Sequence, residues 1–391
     1  MDLDTTSSVD EESNHPLYRT VHFVLYDPVQ TVRQPTEGTR VPDLWSHLDV
    51  GRMRLRHRLA LSPMMRNRAL PDGSPTPLDA EYFAQRASLG LLITGGTQPS
   101  ADGQGFLLSH GCHTGAHIAG WQQVTKAVHD AGGHLFVQLM HAGRVAHPDN
   151  TPHGRAPVAP SAVAAGVGIH TPSGNQQVPP PRELSTAEVR KTVDDFRRAA
   201  AAAIEAGADG VEVHGANGFL VQQFLSANAN HRTDAYGGSI AGRTRFALEV
   251  TEAVAAEIGA DRTAVRLSPG LRGFGIDEGE TGPATYSHLV RALARLDLAF
   301  LHVTHHGDDA LLAELRTAFP GPLLLTRPGA TVRERAADVE NGLADLVTLG
   351  RLALANPDVV ARLQTGAALN SPDPATFYGG GAEGYTDYPA L

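Results

Sequence analysis

Eight short apolar runs, each followed by a longer amphipathic stretch, constrain this chain more than any other feature. From Leu44 onward they are Leu59–Met64, Leu91–Thr94, Leu135–Met140, Gly210–His214, Ala264–Ser268, Leu298–Val303, Pro322–Thr326 and Leu346–Leu349. Short runs rich in leucine and β-branched residues read as strands buried on both faces, and their alternation with helical patterns gives a parallel sheet. Between them, Thr186–Ala206 reads as a helix with Ser185 or Thr186 as its cap and Gly207 as its stop. Thr244–Ile258 reads as another, ending before Gly259. Eight strand–helix units are the closure count of a (β/α)8 barrel of the TIM type, which is the expected α/β fold. The alternative, an open doubly wound sheet, calls for a Gly-rich turn after the first strand, and Met64-Met65-Arg66-Asn67 supplies none.

Two connections break the regular spacing. Ala142–Glu183, rich in Pro and Gly, reads as a long loop insertion after strand three, and the stretch from Thr365 to the C-terminus carries Phe377, Tyr378, Tyr385 and Tyr388. Long loops on a barrel belong to the active site. Residues 1–43 are acidic and polar and read as an N-terminal extension, with one apolar patch, Val21–Tyr26, as a short strand; residues 44–391 form the barrel domain.

Composition narrows the partner. A net charge of -10, from 42 acidic against 32 basic residues, argues against a nucleic-acid surface and leaves a small molecule. No apolar run approaches the roughly 20 residues that span a bilayer, so no membrane partner is expected. A single cysteine, Cys112, cannot form an internal disulfide, and the acidic N-terminus lacks the charge pattern of a secretory signal. A cytoplasmic monomer or homodimer is the expectation.

In this fold the site lies at the C-terminal ends of the strands. Gln138 ends strand three, with His141 and Arg144 after it; His214 ends strand four, with Asn217 beyond, and strand five carries Arg266. A flavin ring needs an amide and a cation along its pyrimidine edge, where negative charge develops on reduction, and Gln138 with Arg266 would supply them. Its phosphate needs backbone N–H groups, and Gly329 and Gly350-Arg351 fall in the loops after strands seven and eight, where such barrels bind phosphate. Either residue of the first pair, taken alone, reads as a polar side chain satisfied in the barrel mouth. His214 and Asn217 can aim two hydrogen bonds at one carbonyl oxygen and stabilise an enolate; away from a strand end, His-x-x-Asn is a loop cap. The 19 histidines show no metal-ligand spacing, and no metal is expected.

Six segments carry a family likeness: Ala60-Leu61-Ser62-Pro63, Val137–Arg144 and above all Val211–Phe246, with Val265–Pro269, Leu349-Gly350-Arg351 and Phe377–Tyr388. In them, and from Leu44 to Leu391 as a whole, the chain resembles the Old Yellow Enzyme family of FMN-dependent ene-reductases. The resemblance implies an FMN cofactor reduced by NADPH or NADH, and hydride delivery to the C=C of an enone or enal. It also implies that Pro63, Met64, Met65 and the Gly96 backbone lie along the flavin and that Gln138 and Arg266 contact its ring. Arg327, Gly329, Gly350 and Arg351 would surround its phosphate, His214 and Asn217 would hold the substrate carbonyl, and Tyr378 would line the pocket.

Four positions depart from the family. Phe219 stands where a proton-donating tyrosine is usual, which opens a redox-neutral isomerase or dehydrogenase as an alternative, with Tyr378 or water as substitute donors. Met65 replaces a Thr or Cys beside the flavin carbonyl, a lost hydrogen bond of about 0.5–1.5 kcal/mol, or roughly 10–30 mV for two electrons. Pro328 replaces a glycine whose N–H meets the phosphate, a loss of about 1–3 kcal/mol that Arg327 could offset. If that loss abolished tight FMN binding, the barrel would be a binding protein or cofactor-free catalyst. Phe106, where a tyrosine is common, makes the pocket more apolar and points to a bulky hydrophobic substrate; simple packing accounts for it equally well.

Overall fold

The computed structural model describes residues 42–391, and in it the eight runs form a closed parallel barrel. Its strands are β1 (Leu59–Leu61), β2 (Leu91–Ile93), β3 (Leu135–Leu139), β4 (Gly210–Gly215), β5 (Thr263–Leu267), β6 (Phe300–Thr304), β7 (Leu323–Thr326) and β8 (Leu346–Leu349). β8 returns to β1 through pairs such as Leu349 with Leu61, which closes the cylinder and leaves no edge for a doubly wound sheet. Almost all of the expected extension, with its Val21–Tyr26 strand, lies outside the described residues.

Local chemistry sets the element ends. β1 stops at Leu61, short of its apolar run, because Pro63 has no N–H to extend the ladder. Helix Thr186–Glu205 carries a full capping box: Ser185 Oγ accepts from the Glu188 N–H while the Glu188 carboxylate accepts from the Ser185 N–H. The next long helix runs from Ile240 to Ile258, about a turn longer than expected, since Ser239 Oγ accepts from the Gly242 N–H at 3.0 Å and starts it earlier.

Inward positions recur with a period of two along each strand, and the barrel lining changes character from floor to mouth. Phe136, Ala264, Phe300, Leu324 and Leu346 belong to an apolar floor that also takes in Val50, Met53 and Leu55 of the N-terminal hairpin, which plugs that end. Two residues further along the same strands stand Gln138, Arg266, His302, Thr326 and Thr348. The polar lining is therefore confined to the layer next to the mouth.

Both long connections fold against that mouth. The insertion after β3 carries a hairpin, Gly168–Thr171 with Gly174–Gln177, and packs Val145, Ala165, Ile169 and Val178 in one apolar cluster with Met140 and Phe219. Arg144, placed by sequence among the site residues, instead fastens this insertion: buried, it donates to the Val163 and Gly275 carbonyls at 3.3 and 2.8 Å. His141 is likewise structural, its Nδ1 accepting from the Gly143 N–H at 3.0 Å. The C-terminal segment is held by Arg66 and Arg68, which donate to the carbonyls of Thr376, Phe377, Gly381, Glu383 and Gly384. Among the described residues no helix is long and apolar enough to cross a membrane.

Candidate active site

Gln138, His214, Asn217 and Arg266 come together where β3, β4 and β5 end. His214 pairs with Arg266 across the β4–β5 register, and Gln138 with Glu212 across β3–β4. Asn217 adopts left-handed backbone (φ 55°), and its N–H donates to Ser268 Oγ at 2.9 Å. That turn brings Asn217 Nδ2 to 3.5 Å from His214 Nε2, so a single oxygen between them can face both groups. Gln222 supports the turn from below: its Oε1 accepts from the Gly218 N–H at 2.7 Å and from Ser268 Oγ at 3.2 Å. Sequence reasoning passed over Gln222 and Ser268, because their roles depend on the turn and no spacing marks them.

Burial, together with the nearby Arg266 and His302, drives the His214 pKa well below the usual histidine value. The imidazole is therefore neutral, a hydrogen-bond donor to a carbonyl and not an acid. Its Nδ1 is buried without a hydrogen-bond partner among the described residues.

The wall above this pair is apolar. Phe219 meets Phe106 edge-on at 6.0 Å between ring centroids, His214 at 5.3 Å, and Phe274 at 5.6 Å with the rings tilted by 35°. Met65 and Phe106 pack on the same cluster as Met140 and Phe219, so both sequence departures belong to one apolar cluster. Phe274 joins them from the loop after β5, a contact invisible in the sequence because that loop shows no periodicity. Its φ of 49° is unusual for an aromatic residue, and Gly218 lets it come close: a Cβ added there would lie 2.7 Å from the Phe274 Cβ.

The residues around the mouth suit the flavin that the resemblance implies. Gln138 Nε2 donates to Glu212 at 2.7 Å, and Arg266 uses Nε and Nη2 on Thr304 Oγ1; among the described residues the Gln138 amide oxygen accepts nothing and Arg266 Nη1 has no hydrogen-bond partner. Gly96 lets the backbone pass Met140, whose sulfur would stand 2.4 Å from an added Cβ. Gly350 lies nearest Met64 and Ser62, with Pro63, Met64 and Met65 half-buried, so the chain after β1 borders the loop after β8. Gly329 is exposed with φ at 77° and open space around it.

Arg327 differs from expectation. Its Nε and Nη2 donate to Asp338 at 3.1 and 3.0 Å and its Nη1 to His305 Nδ1 at 3.0 Å, so the charge that was to offset Pro328 is already largely neutralised. Arg351 lies over the Phe377 ring at 5.7 Å, and Tyr378 follows it, half-buried, between residues tied to Arg66: Nε of Arg66 donates to the Phe377 carbonyl and its own carbonyl accepts from the Gly379 N–H.

Comparison with known proteins agrees with this geometry. The model of the NADH:flavin oxidoreductase / NADH oxidase family matches residues 43–370. The chain is 42% identical over 376 residues to 12-oxophytodienoate reductase 7 of Oryza sativa subsp. japonica, covering 89% of this chain and 94% of that protein. It is 41% identical over 354 residues to a probable flavin mononucleotide-dependent alkene reductase of Leishmania infantum, covering 88% and 96%. Among solved structures, morphinone reductase in complex with tetrahydroNAD superposes with a TM-score of 0.86 at 41% identity, covering 90% of this chain and 98% of that one.

Proposed function

This chain belongs to the NADH:flavin oxidoreductase / NADH oxidase family, the Old Yellow Enzyme group, and on that premise we propose that residues 44–391 reduce the C=C bond of a bulky, hydrophobic α,β-unsaturated carbonyl compound, with NADPH or NADH as reductant. The observation that carries this reading is the neutral His214 and the Asn217 amide, 3.5 Å apart, beside Gln138 and Arg266 at one barrel mouth. Bound FMN would supply the hydride chemistry, with Gln138 and Arg266 along its ring and the backbone near Gly329 and Gly350 at its phosphate.

The chain's own part is orientation and charge stabilisation. His214 and Asn217 hold the carbonyl oxygen and stabilise the enolate oxyanion that forms as hydride reaches the β-carbon; one such donor is worth about 10²–10³ in rate. Phe106, Phe219 and Phe274 exclude water and favour an apolar body. Phe219 cannot give the α-carbon its proton, so Tyr378 or a water molecule does. Cys112, buried and without a disulfide, suits a reducing compartment such as the cytoplasm, where the enzyme would act as a monomer or homodimer. Anaerobic reduction of the FMN-loaded protein with NADPH or NADH, followed by re-oxidation with enones of increasing size, tests the assignment. Re-oxidation that quickens with apolar bulk is expected; a reduced flavin indifferent to every enone would contradict it.

A further inference from the structure

Most barrels of this kind fill their interior with branched apolar side chains, and a buried carboxylate there is costly. Here a continuous polar chain crosses the lumen directly above the apolar floor. Gln138 Nε2 donates to Glu212 Oε1 at 2.7 Å, Glu212 Oε2 lies 2.7 Å from His302 Nδ1, His302 Nε2 lies 2.7 Å from Thr326 Oγ1, and Thr326 Oγ1 lies 2.7 Å from Thr348 Oγ1. Glu212 and His302 are both fully buried. Among the described residues no lysine or arginine forms an ion pair with Glu212; Arg266, which spends two of its nitrogens on Thr304, feels its charge. Nothing in the carbonyl-binding pair uses this carboxylate.

Building on the flavin reading above, we propose that Glu212 is a positioning residue that fixes the Gln138 amide and sets the reduction potential of the bound cofactor. A carboxylate accepts and does not donate, so Glu212 takes the amide nitrogen of Gln138 and leaves the amide oxygen to accept a ring N–H. His302, itself fixed by Thr326, gives Glu212 one orientation. The same negative charge opposes Arg266 and so limits how strongly the site favours the reduced flavin, which carries more negative charge than the oxidised form. The site keeps its reduced cofactor a ready hydride donor.

Two substitutions separate the two effects. Glu212→Gln keeps the shape and removes the charge, and is expected to raise the affinity for reduced relative to oxidised FMN about tenfold, a midpoint potential about 30 mV more positive. Glu212→Asp keeps the charge and loses the reach to Gln138; it is expected to weaken both redox forms about tenfold and leave the potential in place. FMN dissociation constants from fluorescence titration and potentials from spectroelectrochemistry read both out, and Glu212→Asp alone tests the positioning if Glu212→Gln does not fold. A wild-type chain that takes up no FMN overturns the flavin reading and this inference with it. A wild-type chain that binds FMN, alongside variants altered only in melting temperature, overturns the inference alone.

Discussion

The Phe219 ring stands edge-on to Phe106, 6.0 Å between centroids at 90°, and 5.3 Å from the His214 ring, so an aromatic pair without hydroxyls stands beside His214. Phe219→Tyr places an O–H where the family keeps its acid. A general acid contributes about 10²–10⁴-fold when proton transfer is limiting. The variant is expected to re-oxidise with enone at least tenfold faster, with a smaller solvent isotope effect than the wild type, in stopped-flow traces. An unchanged rate would show that Tyr378 or water already protonates without limiting turnover.

His214→Ala and Asn217→Ala each remove one oxyanion donor. Each is expected to lower kcat/KM for the enone about 10²–10³-fold, roughly 3–4 kcal/mol, and the double variant less than the product of the two, because they share one oxygen. FMN content should stay at the wild-type level. Loss of FMN in either variant would assign the pair to cofactor binding instead.

Pro328 is exposed, and Arg327 beside it is held by Asp338 and His305. Pro328→Gly returns a backbone N–H next to Gly329 and should tighten FMN binding about tenfold, the worth of about 1.4 kcal/mol. Fluorescence titration checks this; equal dissociation constants would mean that the phosphate takes its donors elsewhere, near Gly350.

Burial holds the His141 pKa at about 4, below the roughly 6.5 of an unfolded chain. The folded pKa is the lower one, so between these values the unfolded state binds more protons. The stability that neutral His141 contributes is complete above about pH 6.5 and is lost as pH falls towards 4, by about 3 kcal/mol in all. His214 acts in the same direction. Urea midpoints measured from pH 7 to 4 should fall, and His141→Gln, which can still accept from Gly143, should flatten the slope. An identical slope in the variant would place the titration elsewhere.

The barrel was legible because buried parallel strands need uninterrupted apolar runs, and those runs matched β2, β3, β7 and β8 almost residue for residue. Gln138, His214, Asn217 and Arg266 could be named as candidates because a strand end in this fold faces the mouth, and the structure brings the four together there. The partners of Arg144 and Arg327 were not legible: the Gly275 carbonyl comes from a loop 131 residues further along the chain, and the Asp338 carboxylate from the far end of the next helix. Phe274, Gln222 and the Glu212–His302 pair escaped for the same cause. Their meaning lies in contacts across strands and loops, which no local pattern encodes.

The most direct test is an anaerobic FMN titration of the purified chain, compared with Gln138→Leu and Arg266→Leu. One FMN per wild-type chain, bleached by NAD(P)H and restored by an enone, with binding weakened at least tenfold in both variants, is the predicted result. A wild-type protein that stays colourless with added FMN, or variants that bind it as tightly, would contradict a flavin site at the mouth of this barrel.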